Sequence, residues 1–485
     1  MRTLQWLMTN QRIPTILAAS AIATLVLMLL RPGVAHAVGV EQETSFVFNT
    51  LSFLIWGALV MWMCAGFTML EAGSVRTKNA AMICMKNIGL YSIAGLAYYI
   101  IGYNLMYVDV GRDLNILGLN VGDLIGTFTL TYSSSAAEVA LLEAEAGASA
   151  AGVLEDSTYA GMSDWFFQMV FVATTASIVS GALAERVKMW SFFIFTLSLT
   201  AFIYPLVGAW TWGGGWLSDL GFTDFAGSTI VHGTGGWAAL AGLIVIGPRL
   251  GKFRRDGSAR PTPPSNIISV TLGVFILWFG WLGFNGGSQL ALGGATDAIW
   301  MSIVLVNTNL SAASGVLVAL FTSRYILGRT DLFAVLNGAI AGLVSITAAP
   351  NFVDHYWAII IGAVGGLVCT VGLRLLERIK IDDVVGAVPA HLFAGIWGTL
   401  AASITVGAQL HIQLLGVVVI GVTVFGIAWL VWKALDMTLS ARVSRQVEEL
   451  GQDAGELGME SYPEFVLMPE PDYDDDLEAE VSAKD

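Results

Sequence analysis

Two histidines stand in stretches that are otherwise apolar. His232 opens "HGTGGWAALAG" and His391 opens "HLFAGIWGTLAA". In a soluble core a lone histidine reads as a structural group bonded to a neighbouring carbonyl. In a membrane span an ionisable group is costly and usually faces a cavity or pathway. Two of them in corresponding runs favour function. A neutral pair can share one hydrogen bond and still offer a donor and an acceptor edge. That suits a small polar solute, or a proton hopping between nitrogens, and gives no reason to bind a large organic substrate. No third ligand stands at metal-binding spacing. Cys64, Cys84 and Cys369 form no CxxC pair, so neither a zinc knuckle nor a disulfide framework is expected. No nucleophile set accompanies the histidines. An intramembrane enzyme and a bound cofactor are therefore not expected.

Other side chains add to the pair. Phe167 and Phe171 lie one helical turn apart in "DWFFQMVF", Trp212 ends an apolar run in "AWTWGGGW", and Phe284, Asn285 and Ser288 share another. Asp224 stands where it suits a helix N-terminus electrostatically. Taken singly, the aromatics read as interface anchors or lipid-facing filler. Ser288 alone reads as helix-packing glue beside Gly283 and Gly287.

The elements that must hold these residues are membrane helices. Of 485 residues, 55% are hydrophobic and 12% charged, about half the charge of a soluble domain. An apolar helix of about 20 residues crosses the hydrocarbon core. Eleven such runs are expected, near 46–70, 82–107, 164–184, 190–212, 228–247, 266–290, 298–321, 331–349, 355–376, 387–407 and 410–433. Ahead of them, Arg2 and Arg12, an apolar run and Ala35-His36-Ala37 have the order of a signal peptide over residues 1–37. The run from Ile13 to Leu30 is long for a signal, so an uncleaved extra span is the alternative.

The loops orient the chain. Fifteen Lys and Arg, Lys86 among them, are assigned to the odd-numbered connections and Arg112 alone to the even ones. By the positive-inside rule the amino terminus is outside and the carboxyl terminus inside, as for a multi-pass protein of the plasma (inner) membrane. Much of the net charge of −14 lies in the long outer loop 108–163 and in the tail 436–485. The tail's acidic end has too little apolar content to pack and is expected to be disordered. This balance argues against nucleic acid as a partner.

The spans also repeat. The histidine runs of spans five and ten echo each other. So do "AGFTMLEAGS" in span one and "LGFNGGS" in span six. Each pair is five spans apart, an odd number, so the second copy enters from the opposite side. The expected fold is all-α and polytopic: a 5+5 inverted repeat within a membrane domain over 38–435, with an eleventh helix appended.

The pieces "LEAGSVRTKN", "FQMVFVATTASIVSGALAER", "WTWGGG", "DFAGSTIVH", "GWLGFNGGS", "GAIAGLVSITAA", "DDVVGAVPAH" and "EELGQDAGELGMESYPEF" run in order over nearly the whole chain. Through them the chain resembles the ammonium transporter family of Amt, Mep and Rh proteins, in its bacterial Amt form. The resemblance implies that Trp212, Phe167 and Ser288 form an outer vestibule recruiting ammonium. Asp224 would support it through nearby backbone carbonyls, Phe171 and Phe284 would be a stacked gate, and His232 and His391 the twin histidines of a narrow pore. It also implies a homotrimer in the lipid bilayer, a regulatory cytoplasmic tail, and in prokaryotic members a PII signalling protein at the inner mouth. Leu457 departs from the histidine often found there in the family, which puts one tail contact in doubt. Three functions fit: ammonium transport with net charge movement, an electroneutral ammonia channel, and an ammonium sensor acting through a partner.

Overall fold

In a computed structural model the chain is described over residues 42–112, 115–116 and 119–463. The expected leader and the acidic end of the tail lie outside these residues. Among the described residues ten helices are long and apolar enough to span a membrane: Gln42–Ser74, Thr77–Tyr107, Gly161–Ala182, Met189–Ala209, Ser228–Ile246, Ile267–Gly287, Ala295–Ile326, Tyr356–Arg378, Val388–Thr405 and Leu410–Leu439. A shorter apolar helix, Leu332–Thr347, stands eighth in order. These are the eleven expected segments. The first, second, seventh and eleventh run beyond the predicted limits. Among the described residues the named strands are one two-residue antiparallel pair, Asn115–Ile116 with Leu119–Asn120.

The first and sixth spans make the most extensive helix pair. They are the two that echo each other in sequence. Glycine permits their approach: a Cβ on Gly273 would meet the Leu70 amide at 2.5 Å, and one on Gly66 the Gly273 carbonyl at 3.0 Å. Between apolar helices in lipid, such backbone contact replaces hydrophobic driving force. Outward-facing Leu, Ile, Val and Phe, such as Ile88, Phe275 and Val422, are largely exposed, while the third span is almost wholly buried. The third span is thus central, and it carries Phe167 and Phe171.

Spans five and ten begin alike. Each opens on a wide π turn, Ser228–Gly233 and Val388–Phe393, and each histidine sits in that turn. Each is preceded by a glycine in the left-handed region, Gly227 at φ +104° and Gly386 at φ +75°. Only glycine takes such a backbone without a Cβ clash. Each is tied by an aspartate three residues earlier. Asp224 accepts from the amides of Gly227, Ser228, Thr229 and Ile230 at 2.8–3.1 Å. Asp383 accepts from Gly386 and Val388 at 3.0 and 2.8 Å.

One predicted placement is corrected. Lys86 is not a loop residue. It lies in the second span, fully buried, and donates to the Ser180 carbonyl at 2.9 Å. An aliphatic stem and a nearby carbonyl let a cation sit where hydropathy alone places none. Counted over the loops and the span ends that flank them, the bias becomes fourteen to one.

The face carrying the tail is held by ions. The Arg249 guanidinium meets Glu185 at 2.8 Å and both oxygens of Asp382 at 2.8 and 2.9 Å. These partners hold the Asp382 carboxyl well below the usual range, against the opposing effect of burial. The fully buried Arg186 is pushed down to about 10 by burial. The tail returns along this face. Val443 donates to the Arg186 carbonyl, and Asp453 accepts from the amides of Ala81 and Met82 at the start of the second span. A carboxylate there satisfies two end amides of a helix and complements its dipole.

Candidate functional site

Trp212, Asp224 and Ser288 gather at the face away from the tail, at the ends of spans four and six and the start of span five. The Trp212 indole donates to the Asp224 backbone carbonyl at 2.8 Å. This fixes the ring plane. Asp224 meets this region through a backbone carbonyl and through its side chain. The Asp224 carboxylate holds amides, and the carbonyl concerned is its own. Burial pushes that carboxyl up to about 6, against the pull of its four amide donors. The Ser288 hydroxyl donates to the Phe284 carbonyl at 2.9 Å, which leaves its oxygen lone pairs free to accept.

Beneath lies a column of rings. Phe167 and Phe171 have centroids 4.8 Å apart, and Phe171 stacks on Phe284 at 4.0 Å and 28°. Trp212 meets Phe171 edge-on at 6.0 Å. Phe284 in turn stacks on His232 at 5.3 Å, and His232 on His391 at 5.3 Å. Phe167, Phe171, Phe284 and both histidines are buried. Trp212, Phe167, Phe171, Phe284, His232 and His391 thus form one chain of ring contacts, to which Asp224 joins through the Trp212 bond and Ser288 through the Phe284 carbonyl.

The two histidines touch through their Nδ1 atoms, 3.3 Å apart. One must donate and the other accept. The donor ring then has a lone pair at Nε2 and the acceptor ring carries N–H there. The pair therefore presents one basic and one acidic nitrogen besides the shared bond. Among the described residues His232 Nε2 has no hydrogen-bond partner, although it is buried. An unmet polar atom at such depth is costly, and a polar guest would satisfy it.

Side chains that single-span patterns pass over complete the site. Trp281 stacks on His232 at 4.8 Å and 22° from the side. Its indole donates to Thr347 Oγ1 at 2.8 Å, and that hydroxyl bonds Asn285 Oδ1 at 3.2 Å. Thr229 and Thr399 share a hydroxyl bond at 2.7 Å between spans five and ten. Trp281 stands three residues before Phe284 on one helix face, a spacing readable in the sequence. Its contact with His232 is not. Among the described residues, no group of three or more His, Cys, Asp or Glu side chains is arranged to hold a metal.

Comparison with known proteins places the chain. The family model of the Ammonium Transporter Family matches residues 51–462. Ammonium transporter Amt2 of Archaeoglobus fulgidus is 37% identical over 444 residues, covering 85% of this chain and 88% of its own. A solved structure titled Sensor Amt Protein aligns with TM-score 0.74 at 33% identity, over 85% of this chain and 99% of that one. Mep2 of Candida albicans aligns with TM-score 0.70 at 26% identity, over 84% and 89%.

Proposed function

The chain belongs to the ammonium transporter family, and we propose that it moves ammonium by parting it into ammonia and a proton. Trp212, Phe167 and Ser288 receive the cation: the rings through cation–π contact, the serine through its oxygen. Asp224 acts as a positioning residue beneath them. Each cation–π contact contributes about 0.5–2 kcal/mol. That helps ammonium shed water but cannot carry it across. An unpaired cation in a dry apolar core costs tens of kcal/mol in the idealised limit. Ammonia is neutral and avoids most of that cost. At the Phe171–Phe284 stack an N–H bond of ammonium breaks. The proton goes to the histidine pair, and ammonia continues along the apolar channel beside it. Passing the proton from ring to ring makes transport carry net charge. Potassium has no proton to give and is rejected.

The observation that carries this reading is the unbroken line from Trp212 through the phenylalanine stack to the Nδ1 contact of His232 and His391. The fourteen-to-one loop bias supports an amino terminus outside and a tail in the cytoplasm, and location in the plasma membrane belongs to the same proposal. Assembly as a homotrimer, with a pore in each protomer, and control by a PII signalling protein at the tail face belong to the same reading. The test is a paired measurement in proteoliposomes: current on a supported membrane and internal pH by dye, after pulses of ammonium and of potassium. Current and pH change with ammonium alone support the reading. A pH change without current makes the protein an ammonia channel. Binding without either makes it a sensor.

A further inference from the structure

Beyond the histidine pair, toward the tail, lies a small cavity lined by His391, Ser177, Asn337 and Glu71, with Phe67 and Val385 as apolar walls. It leaves about 10 Å³ for the centre of a water-sized guest, close to the room one molecule needs. Glu71 is fully buried, near the end of the first span. Its Oε2 accepts from Ser180 Oγ at 2.8 Å and from Asn87 Nδ2 at 3.1 Å. Among the described residues its Oε1 has no hydrogen-bond partner. Burying a carboxyl with one oxygen unmet is expensive, and an ionisable group inside a membrane protein usually marks a pathway.

The cation that balances it is placed aside. Lys86 is equally buried and bonds the carbonyl of Ser180, whose hydroxyl holds Glu71. It also lies 5.1 Å from the centre of the Phe192 ring. No ion pair closer than 4.0 Å joins Lys86 to Glu71. The lysine thus offsets the carboxylate's charge without occupying its free oxygen. A purely structural pair would close into a salt bridge, because that is what repays the desolvation of both ions.

Resting on the coupled reading above, we propose that Glu71 is the proton station on the tail side of the histidine pair. The proton leaves a ring nitrogen of His391, breaking an N–H bond, and passes through the cavity to Oε1 of Glu71, forming O–H. Ammonia arriving in the cavity takes that proton on its lone pair. The O–H bond breaks, the carboxylate returns and ammonium is re-formed before release. One proton enters at the gate and one leaves here, so the cycle closes with no other reactant. The charged and titratable groups around Glu71 are Lys86 and Cys84 from the second span, Cys64 from its own helix and His391 from the tenth. The third span offers only the hydroxyls of Ser177 and Ser180.

The test is the ammonium-evoked current of Glu71→Gln in proteoliposomes, normalised to incorporated protein, with the pH on the tail side varied. The substitution keeps shape and removes the proton site. A fall of tenfold or more supports the station, and a current equal to wild type overturns it. Should Glu71→Gln not assemble, Ser180→Ala carries the test. It removes one donor to the charged carboxylate, so the tail-side pH giving half-maximal current should rise by about one unit. An unmoved profile overturns the proposal. A wild type that conducts ammonia without current would instead sink the coupled reading beneath it.

Discussion

Replacing Trp212 by leucine separates what the ring does from what its N–H does. The indole is half-buried, and its plane is set by the bond to the Asp224 carbonyl. A ring held this way presents a π face to a cation at little entropic cost. Cation–π attraction runs from about 0.5–1 kcal/mol when exposed to about 2 when desolvated. At this depth Trp212→Leu should therefore raise the half-saturating ammonium concentration by about 2- to 30-fold. Trp212→Phe keeps a π face and loses the N–H, so it should recover most of the affinity. The assay is peak current against ammonium concentration in supported proteoliposomes. An unchanged half-saturation in Trp212→Leu would refute recruitment by the ring. Equal losses in both variants would show that the bond to Asp224, and not the π face, is what matters.

Further outcomes follow from the same geometry. In Gly287→Ala the added Cβ would stand 2.4 Å from the Phe167 ring. The ring must move, and half-saturation should rise at least several-fold while the protein stays monodisperse on size exclusion. Arg249→Met removes the guanidinium that pairs with the buried Asp382 carboxylate and leaves Glu185 to Arg76 alone. Removing one member of a buried pair costs about 3–5 kcal/mol, read as a lower melting temperature in detergent. The Asp382 carboxyl is held below its usual range in the folded protein, so its contribution is complete above about pH 4 and is lost as pH falls below that. The melting temperature of wild type should drop there, and that of Arg249→Met should drop less.

The sequence carries the spans because a hydrocarbon core demands runs of fixed length, and those runs are visible one at a time. Their ends are less so. The first helix extends to Ser74 because its last turns are buried against the sixth span, a tertiary fact. Lys86 reads as a loop cation because counting charges cannot see the Ser180 carbonyl that receives it. The π turns at His232 and His391 have no periodic signature. Their frame is nevertheless written twice: Asp224, Gly227 and His232 have the spacing of Asp383, Gly386 and His391. The structure gives that spacing its reason, as an aspartate cap, a left-handed glycine and a π turn. Trp281 and Glu71 are harder to read. Their significance lies in what other spans bring against them, the His232 ring in one case and the His391 cavity in the other. Glu71 does stand as a carboxylate at the far end of an apolar run whose only other acid, Glu43, is in the first turn, which is the signal that would find it.

The most direct measurement compares ammonium and potassium currents of wild type with those of the His232→Ala/His391→Ala double variant in supported proteoliposomes. If the pair carries the proton, wild type responds to ammonium alone. The double variant should then either lose that current or begin to pass potassium. An ammonium current of unchanged size and selectivity in the double variant would contradict the account, because the proton would then be crossing without the histidines.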